Sequence, residues 1–163
     1  MVRKDNFYAA GAIVLGMHDA LVSLTGLIAG LEVAMADRYY IILAAIIASV
    51  TASLSMGASN YLSVRANGEK HAFINALYTG GAYMATCILL IIPFFIFENR
   101  ATELVMMFAI AITEIFLFNY FLGHAQQRPY MRPFLEMLGI CTGVSIVAFF
   151  IGLCANICLG IDM

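Results

Sequence analysis

The stretch FYAAGAIVLGMHDALVSLTGLIAGL, Phe7 to Leu31, carries a single acid, Asp19, and no lysine or arginine. As a helix rising about 1.5 Å per residue it crosses the ~30 Å hydrocarbon core of a bilayer and carries Asp19 roughly 18 Å in, near the midplane. An ionisable side chain at that depth costs about 2.5–3.5 kcal/mol on insertion scales and faces a bundle interior or a water path. Gly16, Ser23, Gly26 and Gly30 fall at helical spacings from Asp19, with Ala12 one heptad before. Such small side chains let a second helix approach closely in lipid, so Asp19 is expected to face protein. The plainer alternative is an aspartate that only pins helices together by hydrogen bonding.

The rest of the chain has the same character. Of its 163 residues 63% are hydrophobic and 11% charged, with a mean hydropathy of +0.94, whereas about a quarter of a soluble domain is charged. A net charge of -2 leaves no basic patch, which argues against nucleic acid as a partner. The opening MVRKDNFYAAG has the charged start of a signal peptide, but the apolar run behind it is too long, and a permanent first span is expected. Cys87, Cys141, Cys154 and Cys158 all lie in apolar runs and say little about redox compartment. Cys154 and Cys158, four apart, have the spacing of a soft metal pair, although small thiols in a membrane helix mostly pack.

Five apolar segments can be marked, at about 7–34, 39–64, 72–97, 102–123 and 134–160, with most of the charge in the short breaks between them. The expected fold is all-α: a polytopic membrane protein of five transmembrane helices, with 1–163 as one domain. Arg3, Lys4, Arg65, Lys70, Arg128 and Arg132 fall on one side and only Arg38 and Arg100 on the other. The positive-inside rule then puts the amino terminus in the cytoplasm and the carboxyl terminus outside.

The second segment is rich in small residues from Ala44 to Ser59 and carries Ser49, Met56, Asn60 and Ser63 along one face. A helix this smooth is built to be touched on several sides. The third, rich in Ile, Leu and Phe, reads as a lipid-facing wall without chemistry. The fourth holds Glu114, read as the only other buried acid, with Asn119 and Tyr120 nearer its end. The fifth carries Gly139 and Gly143 in a GxxxG helix-contact pattern. His71 and His124 lie in the two cytoplasmic gaps, where a cation would enter.

Two carboxylates and a thioether at similar depths, Asp19, Glu114 and Met56, combine hard oxygen with soft sulfur and suit a borderline first-row cation such as Fe(II). One protomer supplies about three ligands, and a two-fold axis would double them. A buried carboxylate binds either a metal or a proton, the physical requirement for exchange. No HExxH or nucleophile-and-base spacing points to an enzyme.

With these residues in place, MHDALVSLTGLIAG followed by SLSMGASNYLSVRA, in a chain of five spans, resembles the vacuolar iron transporter family. That family has a DGLVS-like run in its first span and SMAAGEYLS-like text in its second. The resemblance implies a homodimer with a path between subunits, moving Fe(II) and often Mn(II) out of the cytosol in exchange for protons, with no permanently bound cofactor. Asp19 matches the family's buried aspartate and Met56 its methionine; Ser55, Tyr61 and Ser63 also match. Ala20 replaces a glycine, Asn60 stands where the family has glutamate, and the gap after the second span is too short for the Glu-rich cytoplasmic metal-binding domain of many members. The expected metal set is therefore Asp19, Met56 and Asn60, with Glu114 compensating for the missing acid. The expected partners are the bilayer, divalent metal ions, protons and a second copy of the chain. The alternative is a non-transporting membrane subunit or assembly factor that keeps the fold.

Overall fold

The computed structural model of the chain describes residues 2–34, 37–127 and 129–159, which form five helices. They are α1 (Val2–Ala34), α2 (Arg38–Ala66), α3 (Ala72–Ile96), α4 (Arg100–Gln126) and α5 (Met131–Leu159). All five are long and apolar enough to cross a membrane, and a helix suits that setting because it satisfies its own backbone where no water can. The helices end within three residues of the marked segments at most boundaries. The exception is the start of α1, five residues earlier than expected. The expected end of the last span at Gly160, and Arg128 in the last gap, lie outside the described residues.

Local chemistry sets the breaks. Asp37 caps α2 by accepting from the Tyr39 amide at 2.8 Å, and Asn99 caps α4 by accepting from the amides of Ala101 and Thr102. Pro93 lies in the last turn of α3, which ends three residues later. The α4–α5 turn leaves the helix through Gln127 in the left-handed region, φ 53°. An aromatic clasp then closes it: Tyr130 packs edge-on against Phe116 and Tyr120, and Phe134 edge-on against Phe116.

α1 touches all four other helices. Its closest approaches are made through glycine. A Cβ on Gly16 would lie 2.0 Å from the Thr79 carbonyl oxygen of α3, and one on Gly152 of α5 would lie 2.2 Å from the carbonyl oxygen of Gly30. Gly26 and Gly30, in the stripe expected to let a second helix approach closely, meet Val144 and Ala148 of α5. The reason is generic: in lipid a small-residue stripe is sticky toward any helix that reaches it, and α5 reaches it first.

The third span is no lipid-facing wall. After α1 it is the most buried of the five, with Asn75, Thr79, Tyr83, Thr86, Cys87, Leu90, Ile91 and Phe94 all buried. Its polar residues repeat every three or four positions, along the face turned to α1, α2 and α4. α2 packs mainly on α3, leaving Ser55, Ala58, Ser59 and Ser63 exposed. Gly139 and Gly143 are also exposed, with nothing near enough for a Cβ to touch, so the GxxxG pattern of α5 makes no close contact among the described residues.

Candidate functional site

We call the end of the bundle that holds the α2–α3 and α4–α5 turns the near end, and the opposite end the far end. Met56 lies ten residues from the near end of α2, and Glu114 about as far from the near end of α4. Asp19 sits at a comparable depth in α1, counted from Ala10. A layer of polar side chains crosses the apolar core at this level. The hydroxyls of Ser23 and Tyr83 share a hydrogen bond at 2.7 Å, tying α1 to α3. The Thr86 hydroxyl donates to Glu114 Oε1 at 2.6 Å, tying α3 to α4. Cys87, between them, is hydrogen bonded with Ser49 of α2 and lies within electrostatic reach of both Glu114 and Asp19.

Asp19 itself is exposed on the surface of the single chain, so the protein it was expected to face is not another helix of the same chain. It lies on a ridge of α1 with Gly11, Leu15 and Ser23, at four-residue spacing, all of them exposed in the single chain. Among the described residues no hydrogen bond or ion pair reaches its carboxylate; Ser23 donates to its backbone carbonyl instead. Glu114 is half-buried, and its second oxygen, Oε2, has no donor. Met56 packs against the hydrophobic core, and Asn60 is half-buried with its Oδ1 shielded and unpartnered. His18, next to Asp19, likewise has a shielded, unpartnered Nε2. Shielded polar atoms without partners are rare in folded proteins, and three of them occur on helices whose sequence already pointed to metal chemistry.

Other expected residues fall elsewhere. Asn119 is buried and spends its amide on the Ile115 carbonyl and the Met137 sulfur, a structural role. His71 and His124 are exposed, and His124 stacks on Tyr120. Cys154 and Cys158 are exposed. Among the described residues no group of three or more His, Cys, Asp or Glu side chains is arranged to hold a metal ion within one chain. Glu114 is also not the only other buried acid. Glu103, in the first turn of α4, is wholly buried and paired with Arg38.

A family comparison bears on the two helices that carry Asp19, Met56 and Asn60. The model of the VIT family matches residues 10–73, which span α1, α2 and the start of α3. That match supports membership in the VIT family. Five membrane-length helices mark an integral, multi-pass membrane protein, and the VIT match over its first two spans fits metal-ion transport. The VIT match covers the two helices richest in small residues and leaves Glu114 outside it. A comparison with curated proteins finds no match.

Proposed function

We propose that the chain is a homodimeric, proton-coupled exporter of divalent iron or manganese, with its path between the two protomers and its amino terminus in the cytoplasm. The observation that carries this reading is the exposure of Asp19. On a membrane-spanning helix, an exposed carboxylate without a partner would face lipid, at a cost that membrane proteins avoid. A second protomer set against the Gly11, Leu15, Asp19 and Ser23 ridge removes that cost, and its two-fold axis brings two Asp19 carboxylates to one path. Met56 and Asn60 supply sulfur and amide oxygen from α2, and Glu114 supplies a second carboxylate. This donor set suits Fe(II) or Mn(II) better than calcium or magnesium, which gain little from a thioether. Transport rather than catalysis follows, since an ion site at mid-depth with acids that take up protons meets the needs of exchange.

The test is uptake of Fe(II) and Mn(II) into proteoliposomes with and without a pH gradient. Asp19→Asn keeps the shape and a carbonyl oxygen but offers neither a charge nor a proton site, so uptake and its pH dependence should vanish together while the protein still purifies as a dimer. A dimeric Asp19→Asn that moves Fe(II) at the parent rate, with the parent's pH profile, would make Asp19 structural and favour a non-transporting subunit.

A further inference from the structure

Arg38 stands in an unfavourable place. It is the first residue of α2, where the helix dipole disfavours a cation. Its side chain leaves α2 and crosses the far end of the bundle. There Nη2 donates to the carbonyl oxygens of Phe94 and Phe97, at the C-terminal end of α3, and Nε pairs with Glu103 Oε1 of α4 at 2.7 Å. The last carbonyls of a helix lack intrahelical donors and carry the negative end of its dipole. A carboxylate and two helix-end carbonyls thus converge on one positive group, forming a hard, all-oxygen donor set of the kind that divalent cations take.

Two asymmetries show which partner is fixed. The Glu103 side chain is wholly buried, whereas that of Arg38 is 25% exposed, so the acid belongs to the interior and the guanidinium has access to solvent. Both Glu103 oxygens are shielded and, the 2.7 Å ion pair of Oε1 with Arg38 Nε aside, neither receives a hydrogen bond, so the guanidinium does not satisfy the acceptors around it. Glu32, near the far end of α1, lies within electrostatic reach of Glu103, and Arg100 within reach of both.

We propose that the Arg38 guanidinium is a tethered cation closing the far end of the path, and that a departing divalent cation takes its place among Glu103 Oε1 and the Phe94 and Phe97 carbonyls before release. The cage is a property of the fold alone. Its role as the last station rests on the transport reading above. While Arg38 occupies the cage, α2, α3 and α4 are clamped together at this end. When the metal enters, Arg38 swings toward solvent, and the clamp passes from a tethered charge to a mobile one.

The experiment counts bound Mn(II) by electron paramagnetic resonance of the free ion, on detergent-purified full-length protein carrying Asp19→Asn so that the central site contributes little. Arg38→Gln should bind one more Mn(II) per chain than its Asp19→Asn parent. Arg38→Lys, which keeps the tethered charge, and Arg38→Gln/Glu103→Gln, which dismantles the cage, should bind no more than that parent. Should Arg38→Gln purify only with Mn(II) present, that rescue supports the cage equally. If Arg38→Gln gains no ion, or fails to fold with and without Mn(II) while the double variant folds, the cage is purely structural. Transport separates the two readings. With Asp19 intact, the double variant should slow uptake severalfold relative to the wild-type chain, and uptake at the wild-type rate would overturn the exit role. A gained Mn(II) in a chain whose wild type moves no metal would instead sink the transport reading and leave the cage standing.

Discussion

Replacing Gly16 with alanine tests the packing that sets the register of Asp19. The added carbon would lie 2.0 Å from the Thr79 carbonyl oxygen and 2.9 Å from its carbonyl carbon, about 1.4 Å short of ordinary van der Waals contact. The obstacle is backbone inside a helix, so no rotamer relieves it, and α1 and α3 must separate or slide. A radial gap of roughly 0.5–1 Å already forfeits a quarter to a half of each dispersion contact, and overpacking of this kind costs about 1–3 kcal/mol. The upper half of that range is expected, because lipid offers no hydrophobic gain to offset lost packing. The Ser23–Tyr83 hydrogen bond, 2.7 Å long and two turns along the same interface, should break with it. The buried thiols Cys87 and Cys141 can report the change once the exposed Cys154 and Cys158 are replaced with serine. In detergent, a thiol-reactive fluorophore should then label Gly16→Ala several degrees below the parent on heating. Gly81→Ala, on an exposed position of α3 with nothing within 4 Å of its Cβ, should label at the parent temperature or above it. Equal midpoints for Gly16→Ala and Gly81→Ala would refute the claim that close backbone contact holds α1 in register.

Two further predictions concern the polar layer and the dimer. Glu114→Gln should lower metal flux at least as much as Asn60→Ala, and Thr86→Val, which strips the donor from Oε1, should cost about 1–3 kcal/mol in the same thiol assay; a silent Glu114→Gln in a folded dimer would return Glu114 to a structural role. In a cysteine-free background, single cysteines at Leu15 or Ser23 on the exposed ridge should cross-link two copies, whereas one at Ser49, buried in α2, should not; cross-linking confined to α3 or α5 would put the interface elsewhere.

Hydropathy and length alone determined the number of helices and their setting, because in lipid each helix closes its own backbone hydrogen bonds and needs no partner to form. The same reading found Asp19, since a charge in an apolar run is conspicuous whatever surrounds it. Which face meets which neighbour was left to the tertiary structure. Gly26 and Gly30 are equally suited to α5 or to a second protomer, and only the packed chain shows α5 there. The face of α3 was readable in principle: Asn75, Thr79, Tyr83 and Thr86 form a polar stripe at helical spacing, masked by the high average hydropathy of that span. Glu103 was not readable. Beside Arg100 at a helix start it has the look of a solvated loop acid. Its burial depends on Arg38, distant in sequence, crossing three helix ends to neutralise it. Long-range ion pairing of that kind leaves no periodic trace in a sequence, because it is specified by where helices end in space rather than by their order along the chain.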